Sequence, residues 1–332
     1  MALISYFVDC YIKIADMTSF AFVFPGQGSQ AVGMLDAWGD HPAVQQTLQE
    51  ASQALGEDVG RLIHEGPKEA LSLTTNTQPV MLVAGVAAWR VWLAEGGARP
   101  AYVAGHSLGE YSAFVAAGVL TLAQAAPLVR LRAAAMQEAV PVGAGAMAAI
   151  LGLDSAKVID GCAQAMATFG AGSTEVVEAV NFNDPIQTVI AGTKAGVDKA
   201  CEVLKAAGAK RALPLPVSAP FHSSLMRPAA EKLRVALEQT LLAAPQIPVL
   251  NNVDVAVVDS PDAIRDALVR QAFHPVRWVE SVQALQARGV THVVECGPGK
   301  VLAGLTKRIS ADLVGAALYD PTTLAQTKEL LA

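Results

Sequence analysis

Charge and aromatic rings are scarce in this chain. Charged residues make up 16% of its 332 residues and aromatics 5%, against 52% hydrophobic. That composition excludes a disordered chain and implies a compact apolar fold. A basic excess is also missing, since the formal net charge is −6; a nucleic-acid binder would carry surplus Lys and Arg, so no nucleic-acid partner is expected. The four cysteines, Cys10, Cys162, Cys201 and Cys296, form no C-x-x-C pair and show no ligand-type spacing with the histidines. No metal site is therefore expected, and a reduced, cytoplasmic setting is the economical reading. No window approaches the length of a membrane-spanning helix, so no membrane partner is expected. Residues 1–16 are apolar and aromatic but carry Asp9 and no basic stretch before the apolar part. They make a poor signal peptide and read as an extension outside the fold. Internal repeats and low-complexity tracts are absent, and the length suits one large domain or a large one with an insert.

What is present centres on Gly105-His106-Ser107-Leu108-Gly109-Glu110, which follows the apolar run Ala101-Tyr102-Val103-Ala104. A short strand entering G-x-S-x-G describes a nucleophile elbow, a turn so tight that only glycine-sized neighbours fit around it. Tyr111 to Ala117 are good helix formers, so Ser107 would sit at a helix N-terminus that favours developing negative charge. A second strand, Phe20 to Phe24, runs into the loop Pro25-Gly26-Gln27-Gly28-Ser29-Gln30. Glycines flanking Gln27 let the main chain approach a ligand closely, as an oxyanion-hole donor must.

Serine needs a base, and histidine is the usual one near neutrality. The chain offers His41, His64, His106, His222, His274 and His292. His106 adjoins the serine, but on an elbow its side chain is expected to point away from the serine's. His222 follows a segment stiffened by Pro214, Pro216 and Pro220, as befits a placed base. The residues alone leave the choice open. A triad would need an acid between Ser107 and His222, but Asp154, Asp160, Asp184 and Asp198 all fall in one separate region.

That region has its own rhythm. Val80 to Ala94 and Leu120 to Val140 read as long helices. After Gly143-Ala144-Gly145 come a strand at Met147 to Leu153, a helix from Ser155, strands at Glu175 to Asn181 and Thr188 to Ala191, a helix at Val197 to Ala207, and an extended stretch at Lys210 to Leu215. A β-α-β-β-α-β order over about 70 residues is the ferredoxin-like pattern. The expected fold is α/β: an α/β-hydrolase-like main domain from residues 17–141 and 216–332, with an inserted ferredoxin-like subdomain at 142–215.

Five segments occur in order: Phe22 to Gln30, Thr77-Gln78-Pro79, Gly105 to Glu110, Ala219-Pro220-Phe221-His222 and Glu295-Cys296-Gly297-Pro298-Gly299. Together they resemble the malonyl-CoA:acyl carrier protein transacylase family, and the resemblance covers nearly the whole chain from about Met17. It implies that His222 is the base of a Ser107–His222 dyad, with its second nitrogen held by the main-chain carbonyl of Gln271. It implies that Arg132 binds the substrate carboxylate while Arg130 is a surface residue. The oxyanion would rest on the N–H groups of Gln27 and Leu108, and the pocket would include Gln78, His106, Phe221 and Asn183. Phe221 and Leu108 would crowd an extra α-methyl group. The implied reaction is ping-pong transfer of malonyl from malonyl-CoA to the phosphopantetheine thiol of acyl carrier protein, supplying fatty-acid synthesis, with no cofactor and a monomeric enzyme. A thioesterase or esterase using water, and an acyltransferase associated with a polyketide synthase, stay open as alternatives. Since the chain and the carrier are both acidic, docking would need a local basic surface. Lys205, Lys210 and Arg211, or Lys300, Lys307 and Arg308, are the candidates.

Overall fold

The computed structural model describes residues 18–217 and 219–332. The expected upstream extension, Cys10, Met17 and Ser218 lie outside the described residues. Within them the strands are β1 (Phe20–Phe24), β2 (Tyr102–Gly105), β3 (Gly145–Leu151), β4 (Val177–Asp184), β5 (Gln187–Thr193), β6 (Arg211–Pro214), β7 (Val249–Leu250), β8 (Val257–Val258), β9 (His292–Cys296) and β10 (Val314–Leu318).

One sheet has the order β10-β9-β1-β2-β7-β8. Its first five strands pair in parallel, and β8 closes the edge antiparallel to β7. All five residues of β1 are buried, as a strand covered on both faces of a parallel sheet must be. The helix Thr74–Ala94 covers one face and is apolar nearly all round, the pattern of a helix sunk in a core. The expected start is Val80; the helix instead begins at Thr74 and runs through Pro79. Its first turn is secured beforehand, because the Asn76 and Thr77 amides both donate to Leu73 O. The second long helix spans Leu122–Glu138, starting at a Thr121–Gln124 capping box and ending short of Val140.

The other sheet has the order β4-β5-β3-β6 with every pairing antiparallel. In chain order that is the ferredoxin-like 4-1-3-2 arrangement read backwards, with helices Ser155–Ala167 and Lys194–Ala206 as its crossovers. A separate apolar core of Ile150, Val158, Ile190 and Leu204 holds it together. The helices begin at side-chain caps, Asp154 accepting from the Lys157 amide and Thr193 from that of Gly196. β4 is longer than the expected Glu175 to Asn181, running to Asp184. Its middle docks on the main body: the Phe182 amide donates to Val276 O at 3.0 Å and the Val276 amide to Val180 O at 2.8 Å. This seam brings the two sheets together over the C-terminal ends of β1 and β2, where parallel α/β sheets carry their sites.

Candidate active site

Ser107 leaves β2 with φ 53, in the left-handed region that side chains avoid. The neighbouring glycines are required by space. A Cβ on Gly105 would lie 1.9 Å from Gly109 C, and one on Gly109 would lie 2.0 Å from Phe24 O. Asn252, just past β7, braces the turn by accepting from the Ser107 amide at 2.8 Å and donating to Gly105 O at 2.6 Å. The helix Gly109–Ala116 starts directly after Leu108. Neither the Leu108 nor the Gln27 amide has an acceptor among the described residues.

His222 shares the strain of the serine, with φ 66; such outliers persist where the surroundings over-determine them. Its Nε2 lies 2.7 Å from Ser107 Oγ, and its Nδ1 lies 2.8 Å from the main-chain oxygen of Gln271. A carbonyl can only accept, so Nδ1 carries the proton and Nε2 presents its lone pair to the serine hydroxyl. Burial, and then the charge of Arg132, push the imidazole pKa down to about 3. The ring is therefore neutral and ready to accept a proton.

Arg132, 2% exposed, reaches into the same place from the helix Leu122–Glu138. It donates to Gln78 Oε1 at 2.7 Å, to Gln271 Oε1 at 3.0 Å and to Ser107 Oγ at 3.3 Å. All three partners are neutral, and no carboxylate pairs with it among the described residues. A buried guanidinium held by two amides and a hydroxyl, and set over the Tyr111 ring at 5.5 Å, keeps its charge available for an anionic ligand. Its neighbour Arg130 is half-buried and pairs with Glu57, a structural tie rather than a free surface charge.

These groups open onto a pocket of about 190 Å³ lined also by Gln27, Gln78, His106, Asn183 and Phe221. Gln78, fully buried on the long helix, donates to Gln27 Oε1 at 3.1 Å and so ties the first loop to Arg132. His106, expected to point away from the serine's side chain, faces the same pocket, where its Nε2 lies 2.8 Å from Asn183 Oδ1. The Leu108 side chain is buried in the hydrophobic core and does not line the pocket. Of the two, only Phe221 lines the pocket. Met136, Met147, Asn181, Val189, Leu215 and Val217 complete the wall; they carry no motif, and only the docking of β4 brings Asn181 in. Asn252 carries a weak signal, as the second of two asparagines that follow the apolar pair Val249-Leu250. Of the proposed basic clusters, Arg308 is already engaged, donating to the buried Asp184 at 2.7 Å.

A half-buried serine on a buried histidine, with an arginine beside them, suits transfer of an acyl group that carries its own negative charge. A family model described as the acyl transferase domain matches residues 21–314. The chain belongs to the acyl transferase family. This acyl transferase is 55% identical over 315 residues to the malonyl CoA-acyl carrier protein transacylase of Escherichia coli (strain K12), which covers 95% of this chain and 100% of that one. Among solved structures it is similar to the acyl-carrier-protein S-malonyltransferase of Burkholderia pseudomallei 1710b, at 63% identity and TM-score 0.91, covering 94% and 100% of the two chains. It is also similar to a malonyl-transacylase solved in complex with its type II PKS acyl-carrier protein, at 51% identity and TM-score 0.91, with the same coverage.

Proposed function

We infer that this acyl transferase moves a malonyl group from malonyl-CoA to the phosphopantetheine thiol of acyl carrier protein, supplying fatty-acid synthesis. One observation carries the reading: an unpaired buried guanidinium stands 3.3 Å from a serine Oγ that is 2.7 Å from a neutral imidazole. Ser107 attacks the thioester carbonyl while its proton passes to His222 Nε2. The oxyanion is met by the amides of Gln27 and Leu108 at the head of the helix Gly109–Ala116. The intermediate collapses, the C–S bond breaks, and His222 returns the proton to the CoA sulfur. A malonyl ester on Ser107 remains, and the carrier thiol reverses the sequence.

Arg132 takes the malonyl carboxylate with its fork of N–H donors. Seating that carboxylate also cancels the positive charge that weakens His222, so the base strengthens when a dicarboxylic acyl group arrives. The main-chain carbonyl on Nδ1 gives a less basic imidazole than an aspartate would, which suits a site that must hold an ester away from water. The chain is taken to act as a cytoplasmic monomer with the two-part division of residues 17–141 and 216–332 against 142–215. Carrier docking is assigned to Lys205, Lys210 and Arg211. Reversing these charges should raise KM for the carrier and spare the half-reaction with malonyl-CoA.

Intact-protein mass spectrometry tests the reading. Malonyl-CoA should add one malonyl mass on the peptide containing Ser107, far faster than acetyl-CoA adds acetyl. Release should need carrier protein rather than water. A label on cysteine, or rapid hydrolysis without carrier, would sink it.

A further inference from the structure

Glu110 is a carboxylate with no exposed surface, one residue past the elbow glycine, and none of the steps above uses it. A buried acid without a paired cation is costly, so its surroundings should show what it does. Its Oε2 accepts from the Asn252 main-chain amide at 2.9 Å and from Gln271 Nε2 at 3.2 Å, while Oε1 has no partner among the described residues.

Both donors belong to residues that touch the reacting groups. The side-chain amide of Gln271 is held in one orientation, with Nε2 donating also to Ser107 O at 2.8 Å. Its Oε1 is therefore left facing Arg132 at 3.0 Å, and its main-chain oxygen holds His222 Nδ1 at 2.8 Å. Asn252 in turn clamps the Ser107 amide and Gly105 O around the strained turn. One oxygen of Glu110 thus sits behind the nucleophile, the base and the carboxylate receptor together.

We propose that Glu110 is a positioning residue, acting as a carboxylate through Gln271 and Asn252 to hold Ser107, His222 and Arg132 in register. The role rests on the acyl-transfer reading. A carboxylate oxygen has lone pairs for both N–H donors; protonation weakens that acceptor and removes the negative charge that balances Arg132 across the Gln271 amide. The ionisable groups facing Glu110 are Arg132 from the helix Leu122–Glu138, Asp254 from the loop after β7, and Tyr111 on its own helix. Burial pushes Glu110 up to about 7, against the pull of its hydrogen bonds and Arg132. Its charge therefore changes near neutrality, where His222 stays neutral throughout.

The experiment is single-turnover malonylation of Ser107 by malonyl-CoA from pH 6 to pH 8, followed by rapid quench and intact mass. Wild type is compared with Glu110→Gln, which keeps shape and one acceptor oxygen, and with Glu110→Ala. Wild type should accelerate as pH rises through about 7. Glu110→Gln should be nearly flat over that range, about 5- to 20-fold slower than wild type at pH 8. Glu110→Ala should fall at least as far, and should fail with acetyl-CoA too, because the dyad itself loosens. A Glu110→Gln profile that keeps the wild-type limb, or a rate within twofold of wild type throughout, overturns the role. Should Glu110→Ala not fold, Glu110→Gln still decides it. Absence of label on the wild type would instead strike the acyl-transfer reading.

Discussion

The two walls of the pocket differ in kind. From the six-stranded sheet and its connections come Ser107, His222 and Arg132, with Gln78 behind them, and Glu110 and Gln271 packed underneath. From the four-stranded sheet and its exit come Met147, Asn181, Asn183, Val189, Leu215 and Val217, among which no side chain ionises. Chemistry sits on one wall and shape on the other. The reason is positional. Parallel strands end together at one edge, so loops after β1, β2 and β7 converge there with helix N-termini and strained turns to orient polar groups. An antiparallel sheet packed over that edge has a flat face to offer, which excludes water without competing for protons.

If that division is real, replacements on the two walls should fail in different ways. The largest effect is expected at the serine. Ser107→Ala should abolish the malonyl adduct and lower kcat by about 10³-fold or more, with the circular dichroism spectrum unchanged. Any stable acyl adduct on that variant would place the chemistry elsewhere.

Arg132→Ala comes next. Loss of a charge-assisted pair should lower kcat/KM for malonyl-CoA by about 30- to 1,000-fold, and for acetyl-CoA by clearly less. Steady-state kinetics with both donors measures the difference. Equal losses would make the arginine a packing residue and move carboxylate recognition to the other wall.

On the neutral wall, Asn183→Ala removes the hydrogen bond to His106. One such bond corresponds to about a 3- to 20-fold loss, expected in KM with kcat nearly intact. A collapse of kcat instead would show that this wall takes part in the chemistry.

The smallest effect concerns stability away from the pocket. Glu295 on β9 is fully buried, accepts from the Ala303 amide at 3.0 Å, and is pushed up to about 7 by burial. Its folded pKa lies above the unfolded value, so the folded state binds more protons between about pH 4.5 and 7. Stability from this group is present below that window and is lost as pH rises through it. Glu295→Gln should therefore shrink the fall in Tm between pH 5 and pH 8 by about 2–4 °C. A variant with the same pH dependence as wild type would clear Glu295 of the effect.

Much of this was legible because it depends on local rules. The elbow needs glycine at 105 and 109 since any Cβ there collides with backbone, and a collision of that kind leaves a mark in the motif itself. Strand and helix order in the four-stranded sheet followed from the alternation of strand-like and helix-like stretches. Boundaries did worse. The first long helix begins at Thr74, six residues before the expected Val80, and β4 outruns its expected end because its pairing with β5 continues to Asp184. Leu108 shows a similar limit. Its place in the motif suggested a pocket wall, while the helix start it precedes leaves its side chain in the core.

The sequence by itself determined the tight turn at Ser107, the α/β class, the ferredoxin-like insert and the family to which the chain belongs. These rest on sterics between neighbours in the chain and on the alternation of apolar residues. Only the tertiary structure decided that Gln271 touches serine, histidine and arginine at once, that Asn252 braces the elbow from across β7, and that Arg132 reaches the pocket without an ion pair to a carboxylate among the described residues. Hydrogen bonds between residues 49 to 164 positions apart leave no period and no fixed spacing. They exist only once the core has closed and taken water away from the groups that must then find each other.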